Sequence, residues 1–151
     1  MEIMLFIGVT VGTFLLMEMV TWLTHKYVMH GFLWYLHKDH HQPKYQHVFE
    51  KNDTFFVIFA IPSITLFYFG VTPNLNYLFF IGLGIFFYGL AYFFIHDILI
   101  HQRIKWFKRT NIAYFKGLRK AHKIHHKYLG KEDGECFGML LVPKKYFKQN
   151  G

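Results

Sequence analysis

The chain has 151 residues, of which 53% are hydrophobic and 21% aromatic, and a net charge of +8 with histidine neutral. That length supports one domain, 1–151, and not comfortably two, while so much apolar surface excludes an ordinary soluble domain of this size. Beside the apolar runs, the positive balance reads as attraction to an anionic membrane surface, with no nucleic acid as partner.

Met1-Glu2-Ile3 lacks the basic flank of a secretory signal, so the first apolar run, Ile3 to Thr24, is read as a retained span. Only Glu18 interrupts it, on the helical face of His25 but about 10 Å deeper, which suits a substrate channel or a protonated packing role. His25-Lys-Tyr-Val-Met-His30 follows, then Gly31, a natural helix-ending residue, then His37-Lys-Asp-His40-His41. Pro43 is expected to end that helix, and Lys44, Gln46, Glu50 and Lys51 mark a solvated loop around His47. Thr54 to Gly70 and Leu75 to Ile95 carry no charge and form the second and third spans. Val71-Thr72-Pro73-Asn74 makes a tight reversal between them. At 1.5 Å rise per residue the three runs extend roughly 33, 26 and 32 Å, against a hydrocarbon core of about 30 Å. Further on come His96-Asp-Ile-Leu-Ile-His101 and the basic stretch of Arg103, Lys105, Lys108 and Arg109. Ile112, Phe115 and Leu118 then recur every three residues, as in a helix lying in the membrane interface or an amphipathic helix packed on the domain. His122-Lys-Ile-His125-His126 closes that stretch, and the tail from Leu140 to Phe147 is placed at the membrane surface. Tyr88, Tyr92 and the phenylalanines read as span packing. The fold class is all-α: an integral membrane protein with about three transmembrane helices and cytoplasmic helices carrying a histidine-rich dinuclear metal site.

Every Lys and Arg lies between Lys26 and Lys51 or from Arg103 onward. By the positive-inside rule the N-terminus and the 71–74 turn face away from the cytoplasm, and 25–53 and 96–151 face it. Cys136 is the only cysteine, which forbids an internal disulfide and suits a reducing compartment.

Ten of the eleven histidines form one pattern, HxxxxH followed by HxxHH, that occurs twice: His25, His30, His37, His40 and His41, then His96, His101, His122, His125 and His126. Positions i, i+3 and i+4 share a helical face, so each HxxHH is expected to aim three imidazoles at one point. The HxxxxH pairs are harder to place. Five residues of α-helix leave the two rings roughly 140° apart, so either the helix frays or the pair serves two metals. Imidazole suits Fe, Zn, Cu or Ni, and two ions with five histidines each would keep a position for a bridging water or oxygen. A structural zinc site is normally four-coordinate and rich in cysteine, which ten histidines exceed. Asp97 is a candidate partner for the second nitrogen of His96. Asp39 points away from the His37, His40, His41 face as a solvated or capping residue. His47 alone falls outside both copies and is read as a bystander.

With these four boxes, Trp22-Leu-Thr-His-Lys-Tyr-Val-Met-His30-Gly31, Asn52-Asp53, His96-Asp97 and Phe137-Gly138, the chain resembles the fatty-acid hydroxylase and sterol desaturase superfamily of membrane di-iron enzymes. Within it, the chain looks most like the bacterial β-carotene hydroxylases. The resemblance implies two irons held by the ten histidines, O₂ as co-substrate, and a monooxygenase acting at C3 of β-ionone rings, turning β-carotene into cryptoxanthin and then zeaxanthin. It also implies electrons from ferredoxin or a similar carrier and a place in the bacterial inner membrane. No Rossmann glycine fingerprint is present, so a separate reductase is expected, docking on the basic face or leaving that face to topology alone. A sterol or fatty-acyl hydroxylase or desaturase with the same iron site is the alternative. A metal transporter would need polar groups through the bilayer, and the second and third spans hold no His or carboxylate.

A reporter fused to the C-terminus is expected to read cytoplasmic and one inserted within 72–76 external. The same side for both would disprove the three-span topology.

Overall fold

The computed structural model describes residues 2–42, 49–107 and 109–147. Pro43, Lys44, Gln46, His47 and Lys108, with the roles expected of them, lie outside the described residues. The described residues are helical without strands. Helix α1 (Glu2–Leu23) continues without a break into a π-helix, Thr24–Phe32, which loses helical geometry at Gly31 (φ −105°, ψ −122°). Helix α2 (Trp34–His41) follows. A single turn at Lys51–Asp53 starts α3 (Thr54–Val71), and its first amide is met by Asp39, whose Oδ2 accepts from Lys51 N at 2.6 Å. Asp39 is therefore a capping residue. Helix α4 (Tyr77–Tyr92) is capped by Asn76, whose side chain accepts from Leu78 N at 2.9 Å, and it also runs on as a π-helix, Phe93–Ile100. Helix α5 (Ala113–His125) lies beyond.

Three helical segments, Glu2–Phe32, Lys51–Val71 and Tyr77–Ile100, are long and apolar enough to cross a membrane. Their outward faces expose Ile3, Leu15, Ile61, Ile64 and Tyr68, as expected of a surface solvated by lipid. Helix α4 packs against both α1 and α3 through small residues. A Cβ on Gly82 would stand 3.1 Å from Ser63 O, and one on Gly84 would stand 2.7 Å from Thr10 O and 2.6 Å from Thr13 Cβ. Close approach also allows Ser63 Oγ to donate to Gly82 O at 2.9 Å.

At the end of the third span, Leu118 of α5 is buried with Ile95, Leu99 and Met139, and Phe115 packs on them. Helix α5 packs on the domain through this face. Ile112 remains exposed.

Substituting Gly84 by Leu should force α1 from α4 and lower stability by about 1–3 kcal/mol, the usual cost of overpacking. The thermal midpoint in detergent should fall, whereas Gly12→Leu, with nothing within 4 Å of its Cβ, should leave it unchanged.

Candidate metal centre

The HxxxxH pairs sit on the two π-helices. A π-turn bonds residue i+5 back to residue i and widens the turn, so residues five apart come onto neighbouring positions of one face. His101 N donates to His96 O at 2.8 Å in just this way. The paired rings are neighbours, with centroids 5.2 Å apart for His25 and His30 and 4.4 Å for His96 and His101. Neither fraying between the two histidines nor service to separate metals is needed.

The boxed histidines collect into two buried groups. His25, His30, His37, His41 and His125 form one, with their donor atoms all within 4.8 Å of one another; His40, His101, His122 and His126 form the other by the same measure. His96 adjoins the second group, its Nε2 3.1 Å from that of His40. The expectation that each HxxHH aims all three rings at one point is corrected here. His40 and His41 are consecutive, about 100° apart around α2, and their rings diverge. The i and i+4 members, His37 with His41 and His122 with His126, stay with their own copy. The i+3 members, His40 and His125, cross to the other one.

Hydrogen bonds fix the proton on the outer side of six rings. Nδ1 donates to an oxygen in His25 (Phe137 O, 3.0 Å), His30 (Lys131 O, 3.1 Å), His37 (Asn52 Oδ1, 2.7 Å), His40 (Glu50 Oε2, 2.7 Å), His41 (Tyr128 O, 3.0 Å) and His125 (Glu135 O, 2.9 Å). Those oxygens only accept, so Nε2 carries a lone pair. Yet Nε2 meets Nε2 at 3.1 Å between His25 and His37, His37 and His41, and His41 and His125. Facing lone pairs repel unless a cation lies among them. His126 Nε2, buried without a partner, is a further free donor atom. The residues therefore fit metal ions. Burial, reinforced by the neighbouring histidines, also keeps His40, His41, His101, His122 and His126 neutral, as metal binding requires. It lowers His41 to about 4 and His126 to about 3, and holds His40, His101 and His122 below the ordinary imidazole value.

The outer partners differ between the groups. Four of the five rings in the first lean on backbone carbonyls of the 128–137 segment. The second leans on charge. Glu50, expected in a solvated loop, accepts from His40 and pairs with Arg103 at 3.0 Å. Arg103, read as part of a basic face that either docks a carrier or reflects topology alone, binds Glu50, Asp53 (3.0 Å) and Asp97 (3.1 Å). Asp97 stands 3.5 Å from His96 Nδ1, beside the ring without hydrogen-bonding it.

Between α1, α3 and α4 lies a cavity of about 470 Å³, lined by residues such as Met17, Phe55, Phe59 and Phe86, and reaching His96 and Asp97. Tyr88 and Tyr92 line it rather than merely packing the span, and Tyr92 stacks on His96 with centroids 4.9 Å apart. Sequence reasoning did not assign these two, Glu50 or Arg103 to the site. Tyr92 and Glu50 act on histidines 4 and 10 residues away, and Arg103 meets carboxylates about 50 residues back.

Glu50→Ala should weaken metal binding about 10- to 100-fold, the usual effect of losing a carboxylate behind a metal-bound histidine. Chelator competition measures it. Unchanged affinity would mean that the carboxylate merely neutralises Arg103.

The fatty acid hydroxylase family model matches residues 10–143. A protein called beta-carotene hydroxylase from Pantoea ananas is 44% identical over 84% of this chain and 71% of its own length. Another of that name, from Paracoccus sp. (strain PC1), is 38% identical over 89% of this chain and 83% of its own. Beta-carotene hydroxylase 1, chloroplastic, from Capsicum annuum is 40% identical over 80% of this chain and 38% of its own. No solved structure matches the chain. With a model match over most of its length and relatives at this identity, the chain belongs to the fatty acid hydroxylase family.

Proposed function

We propose that this chain is a β-carotene 3-hydroxylase, a di-iron monooxygenase that places a hydroxyl at C3 of each β-ionone ring, by way of cryptoxanthin to zeaxanthin. One observation carries the reading: an apolar cavity between lipid-facing spans reaches His96, which adjoins one of two interlocked histidine groups. The names of the relatives supply the substrate class. His25, His30, His37, His41 and His125 would hold one ion and His40, His96, His101, His122 and His126 the other, with His47 outside the set. Two irons there would supply reversible one-electron chemistry and a place for O₂ to be reduced, which zinc, having no redox chemistry, does not offer.

The remaining work falls to side chains present. Phe55, Phe59 and Phe86 give a polyene an apolar bed and exclude water from the reacting carbon. The cavity is lined in part by His96, so a ring that fills it there lies beside the second group. Tyr92, stacked on His96, holds that imidazole in plane, and the Glu50–Arg103–Asp97 network holds its neighbours. Hydroxylation consumes one O₂, two electrons and two protons per ring and releases one water. With no nucleotide fingerprint in the chain, the electrons come from an external carrier such as ferredoxin, for which Lys105, Arg109, Lys116 and Lys120 form a basic approach. The asymmetric distribution of Lys and Arg supports a metal site on the cytoplasmic side of a bacterial inner membrane, with 1–151 acting as one domain.

Cells that accumulate β-carotene should gain cryptoxanthin and zeaxanthin when this chain is expressed, with the hydroxyl oxygen labelled from ¹⁸O₂, and the purified protein should carry about two irons. Label in a sterol or fatty acid, with none in any carotenoid, would transfer the chain to the other substrate class.

A further inference from the structure

Glu18 stands in the middle of the first span, 8% exposed, and its carboxylate meets four donors. Oε1 accepts from three successive backbone amides, Met139, Leu140 and Leu141, each at 2.9 Å, and Oε2 accepts from Tyr88 OH at 2.7 Å. A buried carboxylate in a span is costly unless every oxygen is met, and here a remote segment of the chain meets one of them.

That segment has no helix or strand from 128 to 141. Its carbonyls at Tyr128, Lys131, Glu135 and Phe137 are the acceptors that orient His41, His30, His125 and His25. Two of its residues, Asp133 (φ 60°) and Cys136 (φ 64°), hold the left-handed conformation that non-glycine residues rarely adopt. A segment so shaped needs tertiary contacts to keep it in place. At its near end a Cβ on Gly138 would stand 3.1 Å from Glu18 Oε1 and 2.7 Å from Leu141 O, so the approach to the carboxylate leaves no room for a side chain.

We propose that Glu18 is a positioning residue: it latches the 128–141 strap to the first span, and through the strap's carbonyls it sets the rings of one histidine group while leaving the other alone. The selectivity follows from the outer partners. His40 is held by Glu50, and His96 stands beside Asp97; neither carboxylate belongs to the strap. The inference rests on the two-metal reading above for its consequences at the metal, but the latch itself does not depend on it.

The test uses the full chain in detergent, loaded with ⁵⁷Fe and compared with Glu18→Leu, Glu18→Gln and Gly138→Ala. The parent should show two iron environments by Mössbauer spectroscopy. In Glu18→Leu one should be lost or bound 10- to 100-fold more weakly, with the other spectrum unchanged. Gly138→Ala, which pushes the strap from the same carboxylate, should show the same selective loss if Glu18→Leu does not fold. Glu18→Gln should restore the parent pattern, because its amide oxygen accepts the same three N–H groups. Cys136, the only cysteine, lies on the strap, and its maleimide labelling should accelerate at least tenfold in Glu18→Leu. The latch is overturned if Glu18→Leu keeps both environments and the parent labelling rate, or if Gln fails as fully as Leu. A parent that never holds two ions would refute the two-metal reading, and Cys136 labelling would then decide the latch alone.

Discussion

Imidazole nitrogens that meet at 3.1 Å with their protons on the far side of each ring repel one another, and the architecture is organised around that arrangement. Each inward Nε2 requires an outward Nδ1–H, and each outward N–H, taken from water, requires its own acceptor. Four of the five acceptors for the first group come from the bare backbone of a strap without regular structure, whose carbonyls are free because no helix or strand uses them, and the fifth is Asn52 Oδ1. For His40 the acceptor is a carboxylate, and the carboxylate's own charge is met by Arg103.

The same constraint explains the two π-helices. An α-helix would turn His25 from His30, and His96 from His101, by more than a third of a circle. One extra residue per turn brings each pair together at the end of a span. Helices α1 and α4 also lead in the same direction, each passing from an apolar run through a π-helix toward an HxxHH helix. The two copies of the histidine pattern are therefore two copies of one structural unit, with α3 returning the chain between them.

Spans were legible because apolar length against bilayer thickness is a local property, and so was the set of ten histidines, because it repeats. Asp39 could be separated from the histidine face by helical phase alone, and it proves to cap the next turn. The partition of His40 and His125 between groups was not legible, since three residues on one face satisfy several arrangements until the opposing helix is placed. Nor was the π-helix, although the repeated five-residue spacing at the ends of two spans was the available signal. Glu50 and Arg103 looked like solvated charges because each lies in a polar stretch; what removes them from water is a partner 50 or so residues away. Glu18 looked out of reach of the site for a similar reason. Its carboxylate is met by amides of residues 139–141, more than 120 positions further along, which no pattern around Glu18 announces.

Crossing of the i+3 histidines has a consequence for assembly. His40 stands among residues contributed after position 95, and His125 stands among residues contributed before position 42. The outer acceptors of His25, His30 and His41 lie 112, 101 and 87 residues further along. Neither copy of the pattern can then complete its own group, and neither group can form before α5 and the strap are in place. Spans α1, α3 and α4 can pack through Gly82 and Gly84 without any of this, since those contacts need only the bundle. The bundle thus depends on close helix packing alone, whereas the buried imidazoles, unfavourable together without a cation, depend on segments from both halves of the chain.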